Sequence, residues 1–173
     1  MALLLLCLAG AVSALSPSAS APLLDSPAYS LATLNEDGTT NMNMVTYASP
    51  VGIRPHRLWM VSLYKKTQSH ANFARSGRGV LALLGEDHAD LTHALGGTSG
   101  GDKAAACAAL GHAWTDSPHF AEQALPRCTA YVELEKDPSC APWDAGDHEV
   151  FACRVANFFE DGAARALSTA RGV

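Results

Sequence analysis

The chain has 173 residues, of which 48% are hydrophobic, enough to fill the single core expected of one small domain. Its formal net charge of -5 and pI near 5.7 lack the basic footprint of a nucleic-acid binder, so that class is set aside. The only long apolar run, residues 2–14, falls short of the roughly 20 residues a membrane-spanning helix needs, so no span is expected in the mature form.

Taken in chain order, residues 1–21 read as a targeting leader and 22–173 as the domain. Leu3 to Leu6, Cys7 and Leu8 supply the apolar region of a signal peptide, and Val12-Ser13-Ala14 a small-residue cleavage site, although a basic n-region is missing. The next stretch, 15–22, is rich in Ser and Ala and free of acids, as transit peptides are. Together they resemble a two-part leader for plastid import, with Leu15 where such leaders carry an aromatic; secretion is the alternative.

Residues 28–34 form a first strand, and Asn35-Glu36-Asp37-Gly38 a turn. Residues 41–49 are extended, because Val45, Thr46 and Tyr47 are β-branched or aromatic, and Pro50 ends the segment. A second strand covers 58–64. Two prolines and a glycine in 50–55 fix a turn between them, so the pair is predicted to be a hairpin. A short helix spans 68–76, capped by Thr67 and ended by Gly77. Residues 80–84 are wholly apolar and form a buried strand. Residues 89–95 are helical with Asp87 as N-cap, 96–101 (GGTSGG) a loop, 104–110 a helix and 112–124 irregular. Two further strands, 129–134 and 150–158, flank the linking segment 135–147. No repeat or inter-domain linker interrupts this order.

The chemistry concentrates between residues 41 and 70. Asn, Thr and Ser at strand ends suit the polar edge of an aromatic heterocycle, while Met42, Met44 and Tyr47 offer apolar contact. Lys65, Lys66 and Thr67, at the start of a helix with free N–H groups, suit a phosphate. The pattern fits a phosphorylated, planar ligand. GGTSGG lacks both the GxGxxG spacing and the Lys-Ser/Thr of a P-loop, so a Rossmann site is unsupported. No Gly-x-Ser-x-Gly elbow anchors a hydrolase. Cys107, Cys128, Cys140 and Cys153 show no CxxC or metal-ligand spacing and read as small apolar residues, so no structural metal is expected.

Four motifs in order, NMNMVTYASPV, the VSL pattern at Met60 to Leu63, the His70 to Leu84 stretch with its Ser76-Gly77 and Val80, and Gly146-Asp147-His148, resemble the flavin reductase-like family of FMN-binding split barrels. Gly101-Asp102-Lys103 is similar to the family's DKF-like element, with Ala104 in place of its aromatic. The likeness covers residues 28–171, and relatives usually continue beyond Val173. It implies a β-barrel with short helices (α+β), an FMN-binding split barrel of Greek-key type. It also implies a flavin, FMN or FAD, held by Asn43, Val45, Thr46, Tyr47, Ala48, Ser49, Ser62, Leu63, Lys65, Lys66 and Thr67, with His148 as catalytic candidate. NAD(P)H would lie over the flavin in an open groove and pass it a hydride, and a homodimer would cover the ring. A non-catalytic flavin carrier is the alternative, as is a haem-binding split barrel with His148 or His70 as axial ligand.

Overall fold

A computed structural model of the chain describes residues 25–97, 102–160 and 166–169. The leader, residues 98–101 of the glycine loop and the last four residues lie outside the described residues. Eight strands run in chain order: β1 (Tyr29–Leu34), β2 (Thr40–Val45), β3 (Ala48–Gly52), β4 (Leu58–Tyr64), β5 (Arg78–Leu83), β6 (Ala130–Lys136), β7 (Trp143–Ala145) and β8 (His148–Glu160). Among the described residues two α-helices accompany them, α1 (Gln68–Ser76) and α2 (Lys103–Ala109), with a 3-10 turn at Glu86–His88 and a π-helical turn at His93–Gly97.

Every ladder is antiparallel, and the order across the sheet is β2-β1-β5-β6-β8-β4-β3, with β7 hairpinned onto β8. Strands β2 and β3 stand at opposite ends of that order, yet only Thr46 and Tyr47 separate them in the chain. The sheet therefore has to curl until its ends meet, and Ser62 N donates to Tyr47 O (2.9 Å) where they do. The result is an antiparallel half-barrel with few short helices, the expected fold.

The expected hairpin between 41–49 and 58–64 is corrected. Residues 41–45 pair with β1, and only 48–52 pair with β4. Pro50 lies within β3 opposite Trp59, where it is tolerated because β3 is an edge strand and needs no second ladder. A second correction concerns Asp87, which sits inside the 3-10 turn; the residue before that turn is Gly85. A third is β7, an unanticipated strand within 135–147, whose Trp143 pairs with Val150 across a tight turn at Gly146 (φ +83°). Helix α1 keeps its expected bounds and both caps, Thr67 and Gly77.

Two apolar clusters sandwich the sheet. Inside the curl, Leu31, Val45, Val61, Leu63, Leu81 and Phe151 meet Phe73 of α1. Outside it, Ala32, Met42, Val80 and Ala82 are covered by Leu91, Leu95, Cys107, Leu125 and Leu167. Strand β5 is thus buried on both faces, which is why 80–84 has no polar alternation. Cys107, Cys128 and Cys153 are buried free thiols, and burial pushes Cys153 up to about 12, so it behaves as a small apolar side chain.

Candidate functional site

The curl leaves two hollows on either side of a small aromatic group. The first is a groove of about 820 Å³ between the outer edge of β2, the start of α1 and the start of α2. Asn41, Asn43, Tyr64, Lys66, Thr67 and Lys103 are among its walls. The second, of about 360 Å³, lies over the β2–β3 junction and is lined by Thr46, Tyr47, Ala48, Ser49, Met60 and Ser62, with Ser26, Pro27 and Val150. His148 stands between them, its ring 5.6 Å from Tyr47 and 5.5 Å from Tyr64.

One wall of the groove is the N-terminus of α1. Thr67 Oγ1 accepts from His70 N (3.2 Å) and donates to Tyr64 O (2.8 Å), fixing the chain's turn out of β4. The first-turn amides have no intrahelical carbonyl, and no acidic residue occupies that turn, so the positive end of the helix is open to an anion. Asn41 Nδ2 donates to Ser69 Oγ (2.9 Å), tying β2 to the same turn. Behind it, Asn72 Nδ2 reaches Asn35 Oδ1 (2.9 Å) and Thr33 Oγ1 (3.2 Å), which docks α1 on β1.

The adjacent lysines separate here. Lys65 Nζ donates to Asp144 Oδ1 and Gly146 O, both at 2.7 Å, and its hydrogen bond, with that of Gly146 N, holds the Asp144 carboxyl below the usual carboxylate range. It belongs to the β7–β8 turn. Lys66 is exposed on the groove and forms no ion pair among the described residues. Lys103 is the third cation, its ammonium half-buried and pushed below the ordinary lysine range by desolvation.

The other expected residues divide by face. Thr46, Tyr47, Ala48, Ser49 and Ser62 come together around the second hollow, and Asn43, Lys66 and Thr67 around the groove. Val45 (6% exposed) and Leu63 (2%) turn into the inner core, so only their backbone is available to a ligand. His148 Nδ1 lies 2.8 Å from Asp147 Oδ1 and lowers that carboxyl's pKa, the geometry of a turn histidine at the rim. His70 Nε2 pairs with Glu149 Oε2 at 2.8 Å, with its ring against Phe151, so its Nε2 is already engaged. The side chains of Tyr64, Asn41 and Lys103 are not among the expected site residues. Tyr64 and Asn41 are signalled only by strand pairing, which brings edges together that no local pattern links.

These features define a flavin reductase-type half-barrel. The chain belongs to that family: residues 22–172 match the Flavin reductase like domain. No curated protein matches it. Among solved structures it is similar in fold to the styrene monooxygenase flavin reductase SMOB of Pseudomonas putida S12, at 21% identity and TM-score 0.70 over 84% of this chain and 86% of that one. It is similar too to the Streptomyces globisporus C-1027 NADH:FAD oxidoreductase SgcE6 in complex with NAD and FAD fragments, at 12% identity and TM-score 0.70 over 84% and 81%. A third is the FMN-binding protein of Thermus thermophilus with bound 1-cyclohex-2-enone, at 22% identity and TM-score 0.67 over 86% and 81%. A longer Sinorhizobium meliloti 1021 chain also matches, and of it this chain spans 48%.

Proposed function

We propose that the protein binds FMN or FAD and passes it a hydride from NAD(P)H, as a homodimer whose second subunit covers the ring. The observation that carries this reading is the pairing of Lys66, in no ion pair among the described residues, beside a helix whose first turn holds no acidic residue, with the hydroxyl-lined hollow at the β2–β3 junction, in a chain of the flavin reductase family. The donor set fits the group. Lys66, the Thr67 hydroxyl and the first amides of α1 suit its phosphate. The backbone and hydroxyls from Thr46 to Ser49, with Ser62, suit the polar edge of its ring, and Tyr47 and Met60 suit its face.

When bound, the flavin supplies the two-electron acceptor, taking the hydride that oxidises NAD(P)H to NAD(P)+ together with a proton from solvent. The chain's own residues position and shield. His148, held by Asp147 between two tyrosines, closes the rim between the two hollows. The open groove leaves room for a nicotinamide without a Rossmann fold.

The test is direct. The purified full chain is titrated with FMN and with FAD by flavin fluorescence, then given NADH and NADPH anaerobically while the flavin band near roughly 450 nm is followed. Binding followed by bleaching is expected. Binding without bleaching by either nucleotide would leave a flavin carrier, and absence of binding would end the flavin reading.

A further inference from the structure

Lys103 is the first residue of α2, yet its side chain leaves that helix and crosses to the edge of β2. Its Nζ donates to Leu95 O (3.0 Å) in the π-helical turn, to Met42 O (3.2 Å) and to Asn43 Oδ1 (3.2 Å). An ammonium has three hydrogens and no acceptor, so these three oxygens use all of its capacity. No carboxylate pairs with it among the described residues. The charge is therefore held in place by neutral carbonyls, with no direct carboxylate partner among the described residues, in a groove whose wall also carries Glu36, Asp37 and Asp102, and burial lowers its pKa.

Asn43 carries the consequence. Because Lys103 can only donate, the Asn43 amide must turn its oxygen toward it, and the Nδ2 hydrogens are left over. Nδ2 meets no acceptor among the described residues, and it is not among the buried atoms left without a partner, so it is reached from the groove that Asn43 lines. Freed from Lys103, an asparagine amide presents either end to a ligand; fixed, it presents a donor only.

We infer that Lys103 is a positioning residue which locks Asn43 as a hydrogen-bond donor into the groove, so that the groove selects an electron-rich acceptor edge of the ligand. The inference rests on the flavin reading, which seats the phosphate end of the ligand in this groove, so that the acceptor edge is an oxygen of the phosphate or of the chain that joins it to the ring.

The experiment is a double-mutant cycle on the full chain, reading FMN affinity by fluorescence and apo-protein Tm by circular dichroism. Lys103→Met keeps the stem and removes the charge; Asn43→Ala removes the donor. Each is expected to weaken FMN binding about tenfold, the size of one hydrogen bond lost from a preorganised site. The double variant should be no weaker than about tenfold as well, because Lys103 acts through Asn43. Asn43→Asp separates this from a merely structural role. Its carboxylate pairs with Lys103 and raises the apo Tm, while its lost amide weakens FMN to the level of Asn43→Ala. Losses that multiply to about a hundredfold in the double variant, or an Asn43→Asp protein that binds FMN like the wild type, would overturn the inference while leaving the flavin reading intact. Wild-type protein that fails to bind FMN would overturn both.

Discussion

Lys65 and Lys66 are neighbours with the same side chain, and the fold gives them different work. Lys65 is spent on Asp144 and the Gly146 carbonyl, whereas Lys66 faces the groove and forms no ion pair among the described residues. Lys66→Ala should weaken FMN binding about tenfold, the loss of one charge-assisted contact to phosphate, and the effect should shrink as salt screens the exposed charge. Lys65→Ala should leave FMN affinity within about twofold. Equal losses in the two variants, measured by fluorescence titration, would place the phosphate elsewhere. The sequence shows two lysines and a threonine at a helix start, which is enough to find the anion site. It does not show which lysine is free, because Asp144 lies about eighty residues on, across a hairpin that only the pairing of β7 with β8 creates.

A second residue, His88, gives a pH dependence with a definite sign. Its ring is fully buried, Nδ1 accepts from Gly85 N (3.1 Å), and Nε2 lies 3.0 Å from the Pro126 carbonyl, so the neutral Nε2–H tautomer satisfies both partners. Burial pushes its pKa below the ordinary value, outweighing the pull of Asp87; His112, 5.0 Å away ring to ring, pushes the same way as burial. The unfolded chain, with a histidine pKa near about 6.5, then takes up the proton first, so stability present at neutral pH is lost as pH falls below that value. Urea midpoints should decline from pH 7.5 to pH 5. In His88→Gln, whose amide offers both a donor and an acceptor, that part of the decline should vanish. A wild-type midpoint that is flat over this range would contradict the assignment.

At the scale of elements, α1 is where sequence and structure agree most closely, because both of its ends are local signals. Thr67 caps the first turn through its hydroxyl, and Gly77 closes the last at φ +68°, its N–H returning to Phe73 O (2.8 Å). Thr67→Ala should cost about 1 kcal/mol of stability and also weaken FMN, since the same turn borders the anion site. Gly77→Ala should cost a similar amount, about 1 kcal/mol, from left-handed strain with no effect on FMN affinity, since the added Cβ only touches the Lys136 side chain at 3.4 Å. Chemical denaturation alongside FMN titration distinguishes the two. The β2–β3 break was illegible for the opposite reason. Residues 41–49 have one continuous strand-like composition, and the chain divides there only because 41–45 find β1 while 48–52 find β4 at the other end of the sheet. Such partners are set by closure of the barrel, which no window of neighbouring residues encodes.

For the molecule as a whole, the short segment 166–169 does more than its length suggests. Leu167 is fully buried in the outer cluster, donates to Leu84 O (2.8 Å) and accepts from Ala28 N (3.0 Å), so it bridges the chain before β1 and the chain after β5. Beside it, Thr169 N donates to Ser26 O and Ser26 N to Thr169 Oγ1, both at 2.8 Å. Ser26 and Pro27 in turn line the hollow over the β2–β3 junction, so core packing and site shape share this strap. Leu167→Ala should cost about 2–5 kcal/mol through the cavity it leaves, which for a chain of this size lowers Tm by about 10 °C. Ser168→Ala is the matched control, because that hydroxyl is buried with no hydrogen-bond partner among the described residues, and its removal should leave stability unchanged or raise it. The strap's link to the site is then read from ligand stabilisation. Saturating FMN raises Tm by an amount set by its affinity for the folded chain. If the strap only fills the core, Leu167→Ala gains as many degrees from FMN as the wild type. If it also holds Ser26 and Pro27 against the hollow, as the hydrogen bonds indicate, the gain is smaller than in both the wild type and Ser168→Ala.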